Sequence, residues 1–225
     1  MLELLFELAK SRFESDLIYA RATIRDRLNQ TISTYNKIAH RYAEFRWGEV
    51  SRWRVLAYKN FIKYNKGTEV LDVGCGPGKD AAILISKGFN VIGVDASRGL
   101  IDEAKSRVPK GTFILGDLRN LRFKKKFDGI WCCASLLHVK KTEAQRAINS
   151  FKNLLKGNGI LFVALKEGDG ECIKTYKDGS KRFFAYYRKV EAVRLVSEEF
   201  EIIKTYVSAK DKHDDRWIEI FARVK

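Results

Sequence analysis

The spacing of apolar residues changes once along the chain. Up to about residue 64 they recur three and four apart, as in Ile32, Tyr35, Ile38, Ala39 and Tyr42, with little glycine and no strand-like run. Side chains so spaced share one face of a 3.6-residue helix, which predicts a helical N-terminal extension. From Thr68 onward short β-branched runs take over: EVLDVG, NVIGVD, TFILGD, FDGIWCC and GILFVAL, with segments long enough for helices between them. Near-continuous apolar strands suit a sheet covered by helices on both faces. The alternation therefore predicts an α/β fold, a doubly wound, mostly parallel, Rossmann-like sheet of seven strands.

Helices are expected over 79–86, ending near Gly88, over 98–108 before Pro109, and over 142–155. Thr142 and Gln145 have the spacing of a capping box for the last of these, and Gly157-Asn158-Gly159 reads as its stop. The tail predicts a helix over 190–198 and an antiparallel hairpin of strands 200–207 and 217–224. After the fifth strand, KEGDGECIKTYKDGSKRFFAYY is too polar for core and too long for a simple link, so it is expected to be a functional loop. Two units follow: 1–64 as helical extension and lid, and 65–225 as the main domain.

Composition narrows the class. With 225 residues, 45% of them hydrophobic, one substantial core is affordable. The opening MLELLFELAK carries Glu3 and Glu7, so it predicts an amphipathic helix and neither a signal peptide nor a membrane span. Cys75, Cys132, Cys133 and Cys172 form no CxxC or Cys/His pattern, which predicts reduced thiols, no metal and a cytoplasmic address. The formal charge of +15 favours anionic partners without choosing among nucleic acid, an acidic surface or an anionic metabolite.

The chemistry concentrates in Glu69 to Asp80, EVLDVGCGPGKD, where a strand breaks into glycines and a helix follows. Such a turn brings bare backbone close to a ligand and aims helix N–H groups at it. A NAD-binding GxGxxG would need glycine where Lys79 stands, which weakens the oxidoreductase alternative. Asp72, Asp95 and Asp117 lie at or near the ends of three successive strands. Taken singly each also suits a helix cap or turn. Together with the glycine turn they predict a nucleoside site, since strand C-termini lie side by side in a parallel sheet.

On these residues the stretch from about Tyr35 to Lys225 resembles class I S-adenosylmethionine-dependent methyltransferases, in the broad branch that includes small-molecule methylases. The resemblance implies S-adenosyl-L-methionine as cofactor. Gly74, Cys75, Gly76 and Gly78 would pass its amino-acid part, with Asp72 just before them. Asp95 would hold the ribose beside Ala96, and Asp117 with Leu118 would face the adenine. Ala134 and Ser135 would lie under the methionine moiety, and Tyr35 or Tyr42 would close over the cofactor. His138 and Glu167 are the candidate general bases, with a structural role for His138 equally open. Lys166, Glu171 and Tyr186 are candidate walls of the acceptor pocket, a solvated loop being the alternative.

The two prolines, Pro77 and Pro109, begin no Pro-Pro-Tyr or Pro-Cys motif, which disfavours the DNA methylases that carry one. The acceptor expected is a small molecule. An RNA (tRNA) acceptor using the basic segments RFKKKF and KDGSKRFF is the alternative, and a non-catalytic cofactor-binding protein a third.

Overall fold

A computed structural model describes residues 30–48, 50–211 and 214–225; the amphipathic helix expected at the N-terminus lies outside them. The described chain begins with helix α1 (30–47) and α2 (Arg52–Tyr64). Strands and helices then alternate: β1 (Glu69–Val73), α3 (Lys79–Ser86), β2 (Asn90–Asp95), α4 (Arg98–Arg107), β3 (Thr112–Leu115), β4 (Phe127–Cys133), α5 (Lys141–Leu154) and β5 (Leu155–Lys166). After these come β6 (Glu171–Thr175), β7 (Lys181–Ala185), α6 (Lys189–Ser197), β8 (Phe200–Val207) and β9 (Trp217–Val224).

Seven strands form one sheet in the order β3-β2-β1-β4-β5-β9-β8. The first five are parallel; β9 runs antiparallel to β5, and β8 antiparallel to β9. The order reverses between β1 and β4, and in open α/β sheets such a switch point opens a crevice beyond the strand C-termini. The central strands are buried on both faces, as their unbroken apolar runs require. Trp131 on β4 anchors one face, stacked on Tyr58 of α2 at 4.8 Å and packed edge-on against Phe61 at 5.3 Å. Helix α2 is thus part of the core, with Ala57 and Phe61 fully buried.

The elements depart from expectation in two places. Helix α5 starts at Lys141, so Thr142 lies inside it and forms no cap, and Gln145 bonds instead to Asn149 at 2.9 Å. The helix also ends at Leu154, ahead of the glycines. Leu155 already turns extended to pair with Phe127, and Gly157-Asn158-Gly159 becomes an irregular start to β5, with Asn158 at φ +64°. The second departure is the supposed loop after β5, which folds as the antiparallel pair β6–β7, a sheet of its own. Strand β7 is buried at Phe183, Phe184 and Ala185 while β6 is exposed along its whole length, a contrast hidden by the charge density.

Candidate active site

The turn after β1 is tied to β2 from below. Gly74 N–H and Cys75 N–H both donate to the Val94 carbonyl, at 2.7 and 3.0 Å. Gly74, at φ +71°, has no room for a side chain, because a Cβ there would fall 2.1 Å from the Cβ of Ser135. Ser135 lies just beyond β4 and donates to the Val73 carbonyl at 2.7 Å, which closes the switch point. Gly76 is the reverse case: at φ +54°, a Cβ would meet nothing within 4 Å, so its bare backbone faces open space.

Asp95 at the end of β2 accepts from Gly76 N–H at 3.0 Å and from Ser97 N–H at 2.8 Å. Burial pushes its carboxyl above the usual range, and these N–H groups offset only part of that rise. Asp117 sits beyond β3. Burial raises its pKa too, but Arg119 bonds the carboxylate through side chain and backbone and holds it below the usual value.

These groups line one cleft of about 90 Å³. Of the anticipated residues, Tyr35, Tyr42, Gly74, Gly76, Asp95, Ala96, Asp117, Leu118, Ala134, Ser135 and His138 face it. Helix α1 forms its roof with Thr31, Ile32, Tyr35 and Tyr42. Residues 31, 35 and 42 fall on one helical face, a periodicity in the sequence that was sufficient to point to Thr31. Ser97, Leu100 and Val139 also line the cleft and carry no sequence signal beyond neighbouring a strand end.

Hydrogen bonds hold α1 across the cleft at both ends. Asn36 Oδ1 accepts from Ser97 Oγ at 2.8 Å and from Gly99 N–H at 3.0 Å, on the α4 side. On the other side Thr34 Oγ1 donates to the Lys181 carbonyl at 2.7 Å, and Phe183 N–H donates to Thr31 Oγ1 at 2.9 Å. Arg41 also pairs with Asp178 in the β6–β7 turn.

His138 joins roof and floor. Its Nδ1 lies 2.7 Å from the Phe183 carbonyl, which can only accept, so Nδ1 carries the proton and Nε2 is the acceptor. The Tyr35 hydroxyl, 3.0 Å away, therefore donates to Nε2. Burial drives the imidazole pKa down to about 4; the Phe183 carbonyl opposes this, and the charges of Arg182 and Lys166 reinforce it. Burial likewise raises the Tyr35 phenol. Both groups are neutral at pH 7.

The remaining anticipated residues lie elsewhere. Asp72 and Cys75 are buried beneath the turn, and Gly78 is the left-handed residue that starts α3. Lys166 pairs with Asp215 at 2.5 Å and sits over the rings of Phe184 and Trp217. Glu167 pairs with Arg216 at 3.1 Å. Glu171 accepts from Lys141 N–H at 2.7 Å, a negative charge at the N-terminus of α5. Tyr186 packs near Phe184 and under Lys174. Among the described residues no His, Cys, Asp and Glu cluster could hold a metal ion, and no helix is long and apolar enough to cross a membrane.

A parallel sheet with a glycine turn after its first strand, an acid ending its second and an antiparallel last pair defines the class I methyltransferase fold. Residues 70–159 match the family described as a methyltransferase domain. An uncharacterized methyltransferase of Synechocystis is 30% identical over 124 residues, which are 55% of this chain and 58% of that protein. Trans-aconitate 2-methyltransferase of Enterobacter is 33% identical over 106 residues, 46% of this chain and 41% of that one. The chain thus spans about half the length of these relatives. Among solved structures, 1,6-didemethyltoxoflavin-N1-methyltransferase of Burkholderia thailandensis superposes with a TM-score of 0.73 at 18% identity, covering 90% of each chain.

Proposed function

We propose that this chain binds S-adenosylmethionine in the cleft under α1 and transfers its methyl group to a small-molecule acceptor. The observation that carries the proposal is the meeting, in one cleft, of the open Gly76 backbone, the Asp95 carboxylate and the Tyr35 roof. The residues fit the cofactor. Asp95 spends two acceptor sites on backbone N–H groups and retains others for the paired hydroxyls of a ribose. Val94, Ala96, Leu100 and Leu118 offer the apolar surface an adenine needs, and Gly76 leaves room for the amino-acid part. Among the described residues, 30–47 act as the lid.

When bound, S-adenosylmethionine supplies a methyl group made electrophilic by its sulfonium. The protein's share of the work is then to orient the acceptor and exclude water. Tyr35 and Tyr42, packed edge to face at 5.1 Å, close the cleft from above, and the bonds from Asn36 and Thr34 hold α1 in that position. His138 keeps its Nε2 lone pair on Tyr35, and in this closed state it orients the phenol rather than taking a proton.

The relatives' names support a small acceptor, one naming trans-aconitate and one didemethyltoxoflavin. The placement of charge supports it too. Lys124, Lys125 and Lys126 precede β4, at the opposite end of the strands from the cleft, and Lys125 is already paired with Glu69 at 2.5 Å. The test is a melting-temperature comparison with S-adenosylmethionine, S-adenosylhomocysteine and NAD. At a hundredfold excess over Kd, a ligand that binds only the folded state stabilises it by about 2.7 kcal/mol. Stabilisation by the first two and not by NAD is expected; none from either sulfur nucleoside would overturn the proposal.

A further inference from the structure

Arg182 on β7 has no carboxylate partner among the described residues, and it lies against Tyr35 of the cleft roof. Arg54, Arg107 and Arg119 each meet a carboxylate. The Arg182 guanidinium instead lies on the Tyr176 ring, 3.7 Å from its centroid, and beside the Tyr35 ring at 5.4 Å. Among the described residues one of its five N–H donors has a partner, the Tyr35 hydroxyl at a long 3.4 Å, and Nε is buried with none. A half-buried, unpaired guanidinium is costly to the fold, and an anion is what relieves it. Its place points to which anion. Arg182 touches Tyr35, Tyr35 bonds His138, and both of those line the cleft.

The second observation concerns protons. His138 has both ring nitrogens engaged and resists protonation, as described above. Asp95 and Asp117 lie at the nucleoside end, and Asp117 is neutralised by Arg119. An acceptor that had to lose a proton during transfer would find no free base among the described residues of the cleft.

We infer that the acceptor is a small carboxylic acid, bound as its carboxylate with Arg182 as counter-charge, and that the product is a methyl ester. This rests on the methyl-transfer reading of the cleft. A carboxylate oxygen forms the new O–CH3 bond with its own electron pair while the S–CH3 bond breaks and its pair stays on sulfur. The sulfonium becomes a neutral thioether and the carboxylate a neutral ester, and no proton is released. The geometry in which every nearby base is occupied suits that reaction.

The probe is S-adenosylmethionine carrying a labelled methyl group, incubated with the full chain and a small-molecule cell extract divided by anion exchange. Label is expected in the product of the anionic fraction, and mild alkali should release it as volatile methanol, as esters do. Arg182→Gln is expected to raise the acceptor KM at least tenfold while leaving S-adenosylhomocysteine affinity within twofold, which also shows that the variant folds. Arg182→Lys, keeping the charge and losing the fork, should recover part of the loss. The acid so identified should raise the melting temperature of the unaltered protein's S-adenosylhomocysteine complex and not that of Arg182→Gln. Alkali-stable label, label only from uncharged acceptors, or an unchanged KM in Arg182→Gln would each overturn the inference with the cofactor reading intact. Failure of the unaltered chain to bind S-adenosylhomocysteine would overturn both.

Discussion

Asp95 is held by backbone from two sides, so its carboxylate needs no side-chain partner to stay in place. Its replacement by alanine is expected to weaken S-adenosylhomocysteine binding by about 1.5–3 kcal/mol, the worth of hydrogen bonds to a charged group, as measured by titration calorimetry. Gly76→Val should act differently, filling the open side of the turn and forcing a β-branched residue to φ +54°; binding is expected to vanish while the circular dichroism of the folded chain persists. Normal affinity in that variant would mean that the ligand does not pass Gly76. His138 gives a prediction in pH. Its pKa is about 4 in the folded protein against about 6.5 for the free side chain, so below pH 6.5 the unfolded chain takes up the proton first. Its contribution to stability is complete above pH 6.5 and is lost as pH falls towards 4. Urea midpoints from pH 7 to 4.5 should therefore decline more steeply for the parent than for His138→Gln, and parallel curves would count against a buried neutral imidazole. Asp95 and the glycines were legible in the chain because strand ends and glycine turns are local features. The state of His138 was not, since it depends on the Phe183 carbonyl, 45 residues away.

At the level of elements, the roof over the cleft consists of two pieces that need each other. Thr31 and Thr34, on an otherwise ordinary amphipathic helix, bond the backbone of β7. Thr31→Val keeps the shape and removes the acceptor for the buried Phe183 N–H, at a cost of about 1–3 kcal/mol. The expected result is faster amide exchange at Phe183 and faster release of S-adenosylhomocysteine; unchanged rates would show that α1 is held by its other contacts. Helix α1 was predictable from its apolar spacing, whereas Tyr35 and Tyr42 entered the site only through the family resemblance. The β6–β7 hairpin was not. Its run of Lys, Asp, Gly and Arg reads as solvated loop until Phe183 and Phe184 have His138 to lie against; the Phe184 ring is 4.9 Å from the imidazole. Lys166, Glu167 and Glu171 followed the same logic. They have the chemistry of a pocket wall, yet Asp215, Arg216 and the first N–H of α5 take them up.

Across the molecule, one buried network ties the helices to the sheet under the site. Asp80, in the first turn of α3, accepts from Tyr58 at 2.6 Å, Trp131 at 3.1 Å and Arg54 at 3.2 Å. Arg54 also reaches Cys133 at the end of β4. Asp80→Ala would leave a buried guanidinium and two buried donors unpaired, so a loss of about 3–5 kcal/mol in unfolding free energy is expected from denaturant titration. A loss under 1 kcal/mol would show that the network contributes little beyond packing. By itself the sequence determined the α/β alternation, the bounds of α3, β8 and β9, and the sheet edge on which a nucleoside would sit. All of these follow from local periodicity and from the backbone freedom of glycine. Tertiary structure alone decided which charges were already spent. Ion pairs and hydrogen bonds join residues far apart in the chain, and only folding reveals that Glu167 and Lys166 are paired while Arg182 waits between two tyrosines.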